Sequence, residues 1–529
     1  LFINLNYVFK LAFVYKGLIT LLLLLVAPYC SIAQLTPAEG RALSYRIIGF
    51  SFPNPKNTDR YTLEIAAGNY NNEDFFQKNI IITQSSRKNK IIAEVPSFGT
   101  PYTWRVTYTD DHASVTKSEL HHFTTVMLPE VNKDSARLRI LTPAIKNKDL
   151  YVFVDASKTL YTMDGTPVWC IQPVEGIPTR VLMPRDLKCS GLGTITFMWN
   201  EQAYEINYDG DVLWKEPGSG PKSKKITQKI TSLHHHEFTR LSNGHYMTLG
   251  MELVNWEVQG TIDTSKVRFK QRLTVDSNGK LQQKVFCGKI IEFDRDHNIV
   301  WSWSAADYFK KSDMYYRRLP NGLFRIGNTH ENAFYFDEKA KVIYISFRNI
   351  HRVIKVQYPS GKVLNTYGEL YIPGNQEMKN DLFCGQHNVR RSQDGYLYLF
   401  NNNGCNRLCG QLPTIIMLQE PATSKGQLKK VWEYECTLDS MTEQEQAKLR
   451  FETGGSVFEL PDRSILCCMA GNYSKVFIVN RDKKITWSAL PEQWSLTEKK
   501  WKALPGYRAS IITRQELESL IWGEPLKKK

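Results

Sequence analysis

Three histidines stand at one place in three copies of a repeated pattern: His236-E-F-T-R-L-S-N-G, His330-E-N-A-F-Y-F-D and His387-N-V-R-R-S-Q-D-G. Each precedes by seven residues the polar residue of a turn, Asn243, Asp337 or Asp394. Imidazole titrates near pH 6.5, so it can serve as nucleophile, general acid or base, or metal ligand. Three rings brought together would make either a group-transfer site or a metal site. Imidazole suits zinc, copper and iron, but the polar residues nearby are Asn332, Arg348 and Gln386. A guanidinium beside a metal cation is unfavourable, whereas beside a transferring oxyanion it supplies what the chemistry needs. No metal and no cofactor are therefore expected. The turn spacing selects His236 from the run His234-His235-His236, and strand alternation would put His234 on its face and His235 on the other.

These residues sit in an all-β pattern. Asn243-Gly244 and Asp394-Gly395 between alternating apolar runs are strong hairpin signals. Helix signals are few, the clearest being Met441-T-E-Q-E-Q-A-K-L-R, with another near Gln515 to Leu520. From about residue 130 a longer period recurs: a turn, an aliphatic stretch, then Trp169, Trp214, Trp301, Trp432 or Trp487, with Asn365 in the fourth place. Six copies of a four-strand unit predict a six-bladed β-propeller over 130–529, with the tryptophans packing blades and spare length in insertions such as Glu252 to Lys284. In a radial repeat, equivalent positions meet at the axis, so His236, His330 and His387 would line one channel. Residues 35–125 read as a separate small β-sandwich, and Pro101-Y-T-Trp104-R-V is similar to a fibronectin type III strand.

The 529 residues are 42% hydrophobic and 12% aromatic, ample for a large core and more than one domain. The charge is +15, or +13 without Lys10 and Lys16. The lysines are scattered and no zinc finger, basic helix or RNA-binding signature occurs, so nucleic acid is not expected, whereas an anionic substrate fits. Lys10 and Lys16 lead into the apolar run from Gly17, and Ser31-Ile32-Ala33 follows. This is the pattern of a signal peptide over 1–33 cleaved near Ala33, hence export and a periplasmic location. Cys405 and Cys409, in an Asn/Gly-rich loop after His387, are the best-placed disulfide candidates.

His-His-Glu-Phe before Asn-Gly, Thr329-His330-Glu-Asn332-Ala, Arg348-x-x-x-x-Val353-Ile-Lys and Gly385-Gln386-His387-Asn together resemble the bacterial arylsulfate sulfotransferases, periplasmic enzymes independent of a nucleotide sulfate donor. Gly454-G-S-V-F-E-L-P-D extends the resemblance, which runs over roughly 130–490. It implies ping-pong transfer of a sulfuryl group from a phenolic sulfate to a phenol, with His387 as nucleophile passing through a sulfohistidine. It also implies His236, His330 and Arg348 on the sulfuryl oxygens and the leaving phenolate, and Asn332, Gln386 and His235 as substrate-binding residues. Glu237 stands where Asp is common in the family. A metal-dependent lyase, a sulfate-ester hydrolase on the same scaffold and a non-catalytic binding propeller remain the alternatives. The natural donor and acceptor, and assembly as a monomer or homodimer, are not encoded in any readable motif.

Overall fold

A computed structural model describes residues 35–172, 184–199, 202–217, 234–257, 273–309, 316–318, 324–326, 329–368, 382–403, 412–423, 426–438, 451, 453–471 and 474–526. The chain is all-β and divides into two compact units, Leu1–Val126 and Met127–Lys529. In the first unit, Arg41–Leu43, His121–Thr125, Pro101–Asp110, Thr58–Ala67 and Ile80–Ser86 form one sheet in that order, and Ile47–Ser51 pairs with Lys90–Glu94 in another. The two sheets share an aromatic core: the Phe50 ring meets Trp104 edge-on at 5.1 Å and Phe123 at 6.0 Å. Trp104 and Phe50 are fully buried, so the contact between the two sheets is a desolvated aromatic one.

The second unit consists of successive antiparallel sheets. A first sheet joins Pro167–Cys170, Thr159–Thr162, Tyr151–Val154 and Ala509–Ile512. The second runs Arg185–Cys189, Ile195–Trp199, Gln202–Ile206 and Val212–Lys215. The third is built on Phe238–Arg240, Tyr246–Glu257, Leu281–Phe293 and Ile299–Ser304, with Leu273–Val275 along its edge. The fourth spans Glu331–Asp337 to Val363–Tyr367 and the fifth His387–Arg391 to Lys429–Glu435. The sixth spans Ser456–Glu459 to Ile485–Ser495, extended by Lys500–Ala503 and by Ala136–Thr142. Within the expected insertion Glu252 to Lys284, the described residues 252–257 and 281–284 belong to strands that continue the ladder of the third sheet as far as Glu257 opposite Gln282. The helix expected near Gln515 spans Arg514–Trp522 with a Thr513/Glu516 capping box. The one expected at Met441, and the pair Cys405 and Cys409, lie outside the described residues.

The repeated tryptophans tie sheet to sheet. The indole N–H of Trp169 donates to Tyr208 O at 2.8 Å, Trp301 to Pro359 O at 2.7 Å, Trp432 to Arg481 O at 2.9 Å and Trp487 to Met163 O at 2.8 Å. Each acceptor lies at or beside a turn of a neighbouring sheet, so one side chain fills the apolar gap between sheets and satisfies a carbonyl there. Trp214 instead stacks on Tyr246 at 3.9 Å.

A second set of ties uses short polar side chains near the heads of the first strands. Asp155 accepts from the N–H groups of Asp186 and Leu187 at 2.9 and 3.2 Å. Asp186 accepts from Phe238 N at 2.9 Å and Asn388 from Val457 N at 3.0 Å. Asn332 donates to Gln386 O at 2.7 Å, and the Ser456 hydroxyl bonds to the backbone of Ala509 at 3.1 Å. Nearby, Glu237 takes Lys188, Arg390 and Arg508 at 3.1, 2.7 and 2.7 Å, and Asp186 takes Arg508 at 2.5 Å. Burial alone would raise the Glu237 carboxyl, but these three cations hold it far below the usual range.

Candidate active site

The histidines are aimed by an unusual backbone device. His236 and His330 have φ of 67° and 53°, left-handed values rare for residues with a Cβ; at the third position the next residue, Asn388, takes φ 53°. Pairing is shifted immediately after His330, between Glu331 and Ala333, and after His387, before Arg390. A left-handed residue with a bulge rotates the head of a strand and re-aims its side chain, a form of strain that clusters at functional sites. The device also corrects the expected alternation in the histidine run. His234 turns away to Glu216, Nε2 to Oε1 at 2.8 Å, while His235 stays beside His236 with their Nδ1 atoms 2.7 Å apart. Residues 234–236 precede the strand at Phe238, so strand periodicity does not govern them.

The site residues converge. The rings of His236 and His330 lie edge to face with centroids 5.2 Å apart, and Tyr507 joins them, its ring 5.8 Å from His236. His387 is close enough to both to bear on their electrostatics. Arg348 donates its backbone N–H to His330 O at 2.9 Å, and its charge acts on His330 and His387. Its Nη1 donates to Asn349 at 3.1 Å. Gln386 faces elsewhere: its amide nitrogen donates to Ser346 Oγ and to the carbonyls of Phe347 and Arg352 at 3.2, 3.1 and 3.0 Å, clamping the fifth sheet to the fourth. Asn332 likewise bridges these sheets through its nitrogen, while its buried Oδ1 has no partner among the described residues.

Every ring of the cluster is held neutral. Burial first, then the neighbouring Asn402, Arg348 and His330, leave His387 at about 3, Asn402 alone pulling it upward. Burial with the Arg348 and Arg185 charges brings His330 to about 4; burial, the crowding of the His330 and His234 rings and the Arg185 charge bring His235 to about 3. Burial and the surrounding cations push His236 well down too. Four imidazoles beside guanidinium groups, His387 buried and His235, His236 and His330 half-buried, thus keep their lone pairs at neutral pH.

The hydrogen bonds around His387 decide which nitrogen holds that lone pair. Asn402 donates through Nδ2 to Phe451 O at 2.6 Å and to Gly454 O at 2.9 Å, so its Oδ1 must face His387. That oxygen lies 2.7 Å from Nδ1, and Gly385 O lies 3.1 Å from the same atom. Two acceptors require a proton on Nδ1, which leaves Nε2 unprotonated, and Nε2 indeed accepts from Gly454 N–H at 3.1 Å. A Cβ at Gly454 would meet Ala470 and Tyr507 at 2.9 Å, and one at Gly455 would enter the Phe400 ring, so the Gly-Gly pair is what lets this amide approach the imidazole.

Sequence reasoning missed Asn402, Gly454, Tyr507 and Arg185 as members of this site. For Arg185 a signal existed: it precedes Gly193 by the same eight positions as His236 precedes Gly244 and His387 precedes Gly395. Asp186 after it is left-handed (φ 61°), with shifted pairing before Lys188. Asn402, within Leu399-F-N-N-N-G, carried no spacing clue. Among the described residues, no group of histidine, cysteine and carboxylate side chains is arranged to hold a metal ion.

No curated protein matches the chain. Among solved structures, a protein of unknown function from Bacteroides caccae is similar at 11% identity and a TM-score of 0.34, over 64% of this chain and 92% of that one. A Lactobacillus plantarum protein is similar at 11% identity and 0.30, over 86% and 99%. Dihydro-heme d1 dehydrogenase NirN is similar at 11% identity and 0.29, over 72% and 81%. Likeness at these scores bears on neither fold nor chemistry. The family model described as arylsulfotransferase (ASST) matches residues 155–446, which contain His236, His330, Arg348, His387 and Asn402. With more than half its length so matched, the chain belongs to the arylsulfotransferase family.

Proposed function

We propose that this arylsulfotransferase works by a ping-pong mechanism through His387. The supporting observation is the fixed tautomer: a neutral imidazole with its proton pinned on Nδ1 and its lone pair on Nε2, beside Arg348 and two further neutral rings. In the first half-reaction Nε2 forms a bond to sulfur as the sulfur–oxygen bond to the aryl group breaks. The bonding pair leaves on the phenolate, and the Nδ1 proton stays between Asn402 and Gly385. Attack requires the Gly454 amide to release Nε2, and that N–H is then free to bond a sulfuryl oxygen. Arg348, with His236 and His330 as further polar partners, stabilises charge spread over the sulfuryl oxygens, as in phosphoryl transfer. In the second half-reaction the acceptor phenol gives up its proton to water, its oxygen bonds to sulfur, and the Nε2–sulfur bond breaks with its pair returning to Nε2. Substrates are small phenolic sulfates and phenols, and the chemistry requires no metal or cofactor.

The sheets of the second unit fit the six blades of a propeller, because Trp487 and Ser456 tie the sixth sheet back to the first. The first unit fits a fibronectin type III-like sandwich. Export to the periplasm and removal of residues 1–33 complete the reading. Incubation with 4-nitrophenyl sulfate, with and without phenol, tests it. Beyond the first equivalent per protein, release of 4-nitrophenol that depends on added phenol, with phenyl sulfate formed in equal amount, is expected; sustained release into water alone would mark a hydrolase.

A further inference from the structure

Charge accounting across the site singles out Arg185. Lys188, Arg390 and Arg508 all pair with Glu237 or Asp186. Among the described residues no carboxylate pairs with Arg185. Its guanidinium instead lies over the Tyr507 ring, 4.9 Å from the centroid, and its charge bears on His235, His236 and His330. It occupies the repeat position that carries histidine in the next blades, headed by the same left-handed residue and bulge. Tyr507 presents a second unmet group: it is 8% exposed, and its hydroxyl has no partner among the described residues. Burial pushes that phenol up, so it stays a protonated donor. A buried hydroxyl without a partner, beside a cation without a counter-charge, describes half of an anion site.

Arg348 and Arg185 divide the cluster. Arg348 acts on His387, His330 and His351; Arg185 acts on His330, His236 and His235. The contacts run the same way: Arg185 lies over Tyr507, Tyr507 meets His236, His236 meets His330, and the His330 carbonyl takes the Arg348 N–H, so Arg348 belongs to the end where His387 attacks and Arg185 to the other end. In-line displacement puts the leaving oxygen on the side of sulfur away from the nucleophile. We propose that Arg185, with the Tyr507 hydroxyl, binds the aryl oxygen: it stabilises the phenolate that departs in the first half-reaction and the phenolate of the acceptor in the second. This rests on the transfer mechanism above and assigns its leaving-group end. Electrons balance as before: the pair from the broken sulfur–oxygen bond remains on the aryl oxygen, which the guanidinium and the hydroxyl then hold by charge-assisted hydrogen bonds.

The test is a series of aryl sulfates graded by the pKa of the parent phenol. Arg185→Gln is expected to lose about 100-fold in kcat/KM on phenyl sulfate and only about tenfold on 4-nitrophenyl sulfate, because a good leaving group needs less stabilisation. Arg185→Lys should recover part of the loss, and Tyr507→Phe should steepen the same dependence. A uniform loss across the series would overturn the assignment, since it would mean only general positioning. A second readout is independent of turnover: 4-nitrophenol bound to the wild type should ionise about one unit lower than when bound to Arg185→Gln, followed by the absorbance of its anion. Equal ionisation in both proteins also overturns the assignment. Wild-type protein that lowers the ionisation of bound 4-nitrophenol yet transfers no sulfuryl group would support Arg185 and sink the transfer reaction instead.

Discussion

The Gly454 amide stands 3.1 Å from Nε2 of His387 and donates into the one ring nitrogen that Asn402 leaves without a proton. The resting site is thus capped by its own backbone. Breaking a hydrogen bond of this kind costs about 1 kcal/mol, a small term that the incoming sulfuryl group offsets by offering the same N–H a new acceptor.

The first expectation concerns the covalent step. Mixing the protein with an aryl sulfate and no acceptor should add one sulfuryl group, about 80 Da, to the peptide carrying His387. Addition of phenol should remove it. His387→Ala should abolish both label and transfer, whereas His236→Ala and His330→Ala should slow transfer with the label unmoved. Mass mapping decides, and a label on another residue would displace His387 from its role.

Asn402 governs the tautomer, which makes it a positioning residue with a distinctive signature. Asn402→Asp sets a carboxylate against Nδ1 and favours the imidazolium, so the acid limb of the pH–rate profile should move up toward neutrality by about a unit or more. The exchange also deprives the carbonyls of Phe451 and Gly454 of their donor, and a drop in stability of about 1–3 kcal/mol should accompany it. An unmoved acid limb in a folded Asn402→Asp protein would leave Asn402 with a purely structural part.

Arg348→Lys retains charge but loses the planar fork suited to two oxygens. Turnover should fall at least about tenfold while the melting temperature changes little. Wild-type turnover in the folded variant would remove Arg348 from the reaction; loss of folding would assign it to the bond network around His330.

The depressed histidines predict acid sensitivity. His235 and His387 at about 3 and His330 and His351 at about 4 all lie below the unfolded value near 6.5. Between these limits the unfolded chain binds protons that the folded chain refuses. Their contribution is therefore fully present above about pH 6.5 and is lost as pH falls, each ring by up to about 1.4 kcal/mol per pH unit. Thermal unfolding followed by circular dichroism should show the midpoint dropping steeply from pH 6.5 to 5. A flat profile over that range would mean the rings are charged in the fold.

Much of this site was legible because repeats write it several times. The seven-residue spacing to a turn marked His236, His330 and His387, and the Trp periodicity marked the packing between sheets. What stayed hidden depends on contacts across large sequence distances. Tyr507 reaches the cluster from a strand head 271 residues beyond His236, and no local pattern announces it. The orientation of His235 was misread because periodicity of two holds only within a strand, and a left-handed residue at His236 ends it. The resemblance names Gln386 and Asn332 as substrate-binding residues; that their amide nitrogens also clamp neighbouring sheets is a matter of side-chain direction, which no motif spells out.

Pairing of Ala509–Ile512 with Tyr151–Val154 has a consequence for how the molecule comes into being. The strand that completes the first sheet is made some 350 residues after its partner. Closing so long a loop is entropically slow, and until it closes the edge at Tyr151 offers unpaired amides to any other extended chain. Tyr507 and Arg508 arrive with that same strand, so the pocket acquires its aromatic wall and a central cation only at the final zippering step. An intermediate stalled before that step would be at once aggregation-prone and catalytically incomplete, which couples the onset of activity to the end of folding.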